Sequence, residues 1–521
     1  MELASVLRAL RVASKAPLLL LLLGPLLGVA FARGSIADGG SDGRASYAPA
    51  PCPNPILVGS PQFDLGADFE CGYLTVPENR ALADDRTVRI AVARLKATAP
   101  NPKPDPIVFL TGGPGGSGLA EGPSIAKGWN VERDVIFIDQ RGELKSDPFL
   151  SCPEIDQFQH DTVAEAWDNR AYRRRSGAAT RACRDRLQGA GWDLSAYNTT
   201  ENAADVADLR VALGIDQWNI YGVSYGSDLA LQTLRDHPQG IRTMVLDGVF
   251  PPQFNVVEEG WDSTAQSYRA LFDACAAETA CNAAYPDVRA EFTGLVKFLT
   301  QHPRTITVID PATGQDTEVV IDGYKLANLV DGAMFTPGSP ARIPSLVHNL
   351  ATGGGTEAAM EILAQRLPPD FVGYGLEYGA LCSEMVANTN WESVQAIGKK
   401  ALPDFPDSVL SLVPQFPWIF HNCRLWQVQQ ADSGVSRPAR SDIPVLMVSG
   451  ALDPATPPSN AEIAARTLPN SHLLIFPGSG HAIGHFSQVC LAKILQSFLD
   501  SPQGFDVSCL RSEKVPSFQI H

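Results

Sequence analysis

The stretch "WNIYGVSYGS", residues 218–227, carries the reading on which the rest of the fold depends. Its first half is a short, nearly continuous apolar run of the kind that forms a central strand buried on both faces. Its second half has the spacing Gly222-x-Ser224-x-Gly226, and "SDLALQTLRDHP" (227–238) follows as a helix. A serine between such a strand and such a helix sits on a sharp, strained turn, where side chains two positions either side would collide. The helix also turns its positive end toward the serine and favours developing negative charge there. Strand before and helix after make Ser224 a candidate nucleophile rather than a serine in a glycine-containing loop.

Working outward, "GYLTV" (72–76), "VRIAVARL" (88–95), "PIVFLTGG" (106–113), "DVIFID" (134–139) and "TMVLDGV" (243–249) read as further strands. "ENAADVADLRVALG" (201–214) lies between two of them as a helix stopped by Gly214. Strand signals return in "SDIPVLMVSGALD" (441–453) and "SHLLIFPGSGH" (471–481), each ending in a loop. The alternation predicts an α/β fold with a doubly wound, mostly parallel sheet. Residues 51–250 and 441–521 supply that core, and 251–440 form a helical cap inserted after the sixth predicted strand.

The chain has 521 residues, 45% apolar and 19% charged, enough for a large core. A net charge of −16 excludes nucleic acid as a partner, since that would require a basic surface. Residues 1–32 read as a signal peptide: Arg8, Arg11 and Lys15 precede the apolar "PLLLLLLGPLLGVAFA", and Ala30-Phe31-Ala32 predicts cleavage after Ala32. Residues 33–50 read as a flexible linker. The apolar run is short for a membrane span, so no stable span is expected after cleavage, and the protein is expected to be secreted or periplasmic. Export explains ten cysteines as disulfides, with neighbours paired as 52–71, 152–183, 275–281, 382–423 and 490–509. No Cys-x-x-Cys occurs, and no metal site is expected.

A serine hydroxyl needs a base, and the base needs an orienting acid. His481 in "GSGHAIGH" follows the last predicted strand, with His485 as a rival four positions on; that pair has metal-ligand spacing but no acidic third ligand nearby. Asp453 ends one predicted strand and Asp247 another, and the order nucleophile, acid, histidine fits either. "TGGPGGSG" (111–118) offers unobstructed backbone N–H groups, and Gly113 and Tyr225 are the predicted oxyanion donors. The loop lacks a Walker lysine and a Gly-x-Gly-x-x-Gly spacing, so no cofactor is expected.

Together, "CGYLTVPEN" (71–79), "GGPGGSG" (112–118), "DQRG" (139–142), 199–227, "LDGVFPP" (246–252), "CSE" (382–384), "SGALDPATPP" (449–458) and "GSGH" (478–481) resemble the exported α/β-hydrolase-fold serine aminopeptidases, the tripeptidyl- and prolyl-aminopeptidase group. The resemblance implies an α/β-hydrolase fold, a triad of Ser224, Asp453 and His481, an oxyanion hole of Gly113 and Tyr225, and a cap over the cleft. It departs at Leu144, where the family carries glycine, and at Thr111, where prolyl-specific members often carry histidine. The implied substrates are peptides with a free N-terminus. A carboxylate must then meet the substrate ammonium, with Glu384 as first candidate and Glu377 as second. An ester hydrolase with the same triad, or a binding module on the same scaffold, are the competing functions.

Overall fold

The computed structural model describes residues 45–53, 68–82, 86–167 and 169–520; the expected signal peptide lies outside them. Eleven strands are present among the described residues. They are β1 (Ser46–Pro49), β2 (Phe69–Pro77), β3 (Thr87–Leu95), β4 (Ile107–Leu110), β5 (Val135–Asp139), β6 (Trp218–Val223), β7 (Ile241–Asp247), β8 (Arg304–Ile309), β9 (Asp316–Ile321), β10 (Val445–Gly450) and β11 (Ser471–Phe476). Nine of them form one sheet in the order β1-β2-β3-β5-β4-β6-β7-β10-β11. Every pairing from β5 to β11 is parallel, and β1, β2 and β3 add an antiparallel edge.

The central strands are buried on both faces, as their continuous apolar runs require. Val108, Ile220, Met244 and Met447 share one core layer with the helices Thr199–Ala212 and Tyr225–Asp236. Phe109, Phe137, Tyr221 and Val448 point the other way, with the helices Gly118–Ile125 and Gln488–Asp500 packed over them. From β4 the chain steps to β5 on one side and then to β6 on the other. The carboxyl ends of β4 and β6 therefore flank a switch point, where open α/β sheets bind ligands.

Two features depart from expectation. The expected linker through residue 50 contains β1, which pairs with β2 from Ser46↔Thr75 to Pro49↔Gly72. A four-residue edge strand ending in proline has no pattern of its own; it forms because β2 offers a free edge and Gly72 leaves room for the Tyr47 ring. Between β7 and β10, helices dominate, but β8 and β9 form an antiparallel hairpin. Its alternating "RTITVI" and "DTEVVI" turn through Gly314, whose φ is +70°.

All five cysteine pairs are closed as neighbours, with Cα–Cα separations of 5.0 to 5.6 Å. No helix among the described residues is long and apolar enough to cross a membrane.

Candidate active site

The turn between β6 and the following helix holds Ser224 at φ 56°, ψ −125°, a backbone conformation that L side chains rarely adopt. The flanking glycines make this possible. A Cβ on Gly222 would lie 2.3 Å from the Gly226 carbonyl oxygen, and one on Gly226 would lie 2.1 Å from the Leu110 carbonyl oxygen. The serine N–H is anchored by donation to the Asp247 carbonyl at 2.9 Å. Ser224 is partly exposed among buried neighbours, and its hydroxyl has no hydrogen-bond partner among the described residues.

The glycine loop after β4 lies directly against the nucleophile candidate: a Cβ on Gly112 would be 2.7 Å from Ser224 Cβ. Gly113 follows at φ +117°, a conformation open to glycine. The N–H of Gly113 and that of Tyr225, first residue of its helix, donate to no backbone carbonyl among the described residues. Of the two predicted oxyanion donors, Tyr225 adjoins Ser224 in the chain and Gly113 follows the glycine that packs against it.

His481 and Asp453 come together through the loops after β11 and β10. Nδ1 of His481 lies 2.9 and 3.0 Å from the two Asp453 carboxylate oxygens. Asp453 also accepts from the N–H groups of Ala455 and Thr456 and, at 2.7 Å, from the Thr456 hydroxyl. The carboxylate is fully buried; burial pushes its pKa up, but the His481 charge and these hydrogen bonds outweigh it and hold the pKa below the usual carboxylate range. For His481 burial works against the imidazolium, and Asp453 outweighs it, so the imidazole pKa is raised.

No hydrogen bond joins Ser224 to His481, yet both border the Asp247–Gly248 segment. A Cβ on Gly248 would lie 3.2 Å from His481 Cε1, and Ser224 hangs from the preceding carbonyl. The rival acid, Asp247, is otherwise engaged. Its carboxylate accepts from the N–H groups of Ile483 and Gly484 at 2.7 and 2.9 Å and from the Tyr221 hydroxyl. His485 makes no side-chain hydrogen bond among the described residues, and burial lowers its pKa.

The two acids expected to meet substrate differ. Glu384 is buried, and both its oxygens accept from Thr199, at 2.8 Å from the N–H and 2.7 Å from the hydroxyl. Glu377 is partly exposed, and its carboxylate has no hydrogen-bond or ion-pair partner among the described residues. Burial, reinforced by Asp156, pushes its pKa up to about 8. Glu377 stands one turn beyond Gly373, whose N–H donates to Gly115 in the glycine loop at 2.8 Å.

Four contacts carry no signal in the sequence strong enough to single them out beforehand. Thr456 reaches His481 Nδ1 at 3.1 Å as well as Asp453; "DPAT" has the acid-to-N–H spacing of a capping turn, which points to Asp453 but not to the histidine. The Met334 carbonyl accepts from the His481 N–H at 2.9 Å, and the Phe335 ring lies 4.7 Å from the imidazole, so the inserted segment touches the histidine directly. Glu121 accepts from Thr111 at 3.3 Å, and burial pushes its pKa to about 7. Among the described residues the one cluster of metal-ligating types is Cys152, Glu154 and Cys183, and its two sulfurs are already joined to each other.

Comparison with known proteins identifies the fold family. A family model described as the alpha/beta hydrolase fold matches residues 105–487. The chain is 25% identical over 476 residues to a tripeptidyl aminopeptidase of Streptomyces coelicolor, covering 86% of this chain and 84% of that one. It is 24% identical over 476 residues to the serine protease Hip1 of Mycobacterium tuberculosis, covering 85% and 88%. A proline iminopeptidase of Neisseria gonorrhoeae is 27% identical over 191 residues, 36% of this chain and 43% of that one.

Proposed function

Since the chain belongs to the alpha/beta hydrolase family, we propose that it is a serine aminopeptidase that releases short N-terminal pieces from peptides through an acyl-enzyme. The observation that carries the chemistry is the buried Asp453–His481 pair, set beside a serine on a strained elbow whose hydroxyl has no competing partner among the described residues. Asp453 holds the Nδ1–H tautomer, leaving Nε2 as the base for Ser224. The serine–imidazole hydrogen bond forms in the substrate complex, since catalytic hydrogen bonds are often long or misaligned before substrate binds. Ser224 attacks the scissile carbonyl, and Gly113 and Tyr225 donate to the oxyanion; one such donor is worth about 10²–10³ in rate. His481 then returns the proton to the leaving amine, and water repeats the sequence to free the acyl group.

The names of the relatives favour a peptide substrate, and Glu377 favours one with a free N-terminus. A carboxyl without a protein partner, one turn beyond the Gly373 that bonds the glycine loop, would ionise against an incoming ammonium group and hold it by a charge-assisted hydrogen bond. Both oxygens of Glu384 are already engaged by Thr199.

The test is a panel of chromogenic mono-, di- and tripeptide amides, each with a free and an acetylated N-terminus. Turnover confined to the free series, with Glu377→Gln raising KM in that series, is the expected result. Equal turnover of both series, with faster cleavage of simple esters, would make the protein an ester hydrolase instead.

A further inference from the structure

Glu384 lies where the helix Tyr374–Ala380 passes into the π-helical turn Leu381–Met385. Such a turn takes in an extra residue and rotates the side chains beyond it off the α-helical register; π-turns recur at functional sites. Here the rotation accompanies a carboxylate carried from the inserted segment into the core, where it meets Thr199, the first residue of the helix Thr199–Ala212. The contact continues inward: Thr199 Oγ1 lies 2.9 Å from the Tyr225 hydroxyl, and Asn202 Nδ2 reaches the same hydroxyl at 3.4 Å.

Proton counting gives this chain a direction. On the alkaline side of its pKa of about 7 Glu384 is an ionised carboxylate that only accepts, so there Thr199 gives its single hydroxyl proton to Glu384. Its lone pair is then open to Tyr225, which donates to Thr199 and accepts from Asn202. Thr199, Asn202 and Tyr225 are all buried, so a group left unmatched by reversing the chain could not turn to water instead. Tyr225 is also the residue after the nucleophile, and its backbone N–H is one of the two oxyanion donors.

We propose that Glu384 is a positioning residue for acyl transfer: through Thr199 it fixes the ring of Tyr225 and so aims the Tyr225 N–H at the developing oxyanion. The inference rests on the acyl-enzyme reading above, and it couples the seating of the inserted segment to the competence of the elbow. The titratable groups that face Glu384 from the elbow helix are Asp228, whose pKa burial raises well above the usual range, and Arg235. A group acting in this way changes transition-state stabilisation and leaves ground-state binding alone.

The experiment, run on the alkaline side of the Glu384 pKa of about 7, compares Glu384→Gln and Thr199→Val with wild type on a free peptide amide and on an N-acetylated ester. Glutamine keeps an oxygen for the Thr199 N–H but turns an NH2 toward its hydroxyl, reversing the chain; valine removes the hydroxyl. Both variants are expected to lose about tenfold or more in kcat on both substrates, a fraction of the loss of an oxyanion donor, with KM within about twofold. A peptide aldehyde, which forms the tetrahedral adduct, should bind about tenfold more weakly. A KM rise restricted to the free amide would make Glu384 an ammonium ligand and overturn the proposal. A lowered Tm with unchanged kcat would make it structural filler and overturn it equally. If wild type cleaves only the ester, the peptidase reading falls while the kcat loss on the ester still decides the role of Glu384. If Glu384→Gln does not fold, Thr199→Val decides alone.

Discussion

His481 can take a proton from Ser224 only while its imidazole is neutral, so its pKa sets the acid limb of the reaction. Burial alone would move that limb to lower pH, but the paired Asp453 outweighs burial and raises the imidazole pKa. The proton is therefore held to higher pH than on a free histidine, and activity is lost earlier as pH falls. The rate of inactivation by a neutral fluorophosphonate should show a midpoint above about 6.5, the ordinary histidine value. A midpoint at or below that value would mean that Asp453 does not govern the ring. At this scale the glycines were the most legible residues, since Gly222 and Gly226 were singled out for a steric reason that their close carbonyl contacts bear out. Thr456 was not, because a threonine three residues after an aspartate is common in turns and shows its second contact, to the histidine, only when a distant loop arrives.

Elements are locked to one another through buried charge. Arg141, in the loop after β5, is fully buried and grips Asp205 of the helix Thr199–Ala212 with two bonds, at 2.7 and 2.8 Å. It also donates to the carbonyls of Glu78, just past β2, and Ala196. One side chain thus ties a sheet edge, a loop and the helix that seats Glu384. Arg141→Ala should cost about 3 kcal/mol in a denaturation experiment, the low end for breaking a buried pair, because Arg80 still holds Asp205 at 2.7 Å. A loss below about 1 kcal/mol would show that the pair adds little beyond its own desolvation. The central strands and the helices around the elbow were legible from their runs and caps. The hairpin β8–β9 was not, because its alternation is embedded among helices and competes with them. Nor was β1, whose only support is its neighbour.

Across the whole molecule, carboxyls buried without full compensation set the pH response of stability. Burial pushes Glu121 and Glu384 to about 7 and Glu377 to about 8, and raises Glu143 and Asp228 well above the usual range. A carboxyl whose folded pKa is raised binds its proton more tightly when folded, so its contribution is present at low pH and lost as pH rises toward the folded pKa. The raised His481 acts in the same sense, whereas the lowered His237, His421 and His485 act oppositely only below about 6.5. Tm should therefore fall between about pH 6.5 and 7.5. A Tm that rises over this window would show that these carboxyls are hydrated or paired in solution. Cysteine neighbours in the chain are neighbours in space here, which made the disulfide frame legible without coordinates. The contacts between the inserted segment and the catalytic loops were not legible, because they join residues that share no pattern. Met334 with His481, and Glu384 with Thr199, are both of that kind.

The central claim is that Ser224 is the nucleophile and that the His481–Asp453 pair activates it. It is tested most directly by treating wild type and His481→Ala with a fluorophosphonate and locating the adduct by peptide mass mapping. One adduct on Ser224 in wild type, and labelling slowed by about three orders of magnitude or more in the variant, is the predicted result. An adduct on another residue, or labelling of Ser224 at an undiminished rate without the imidazole, would contradict it.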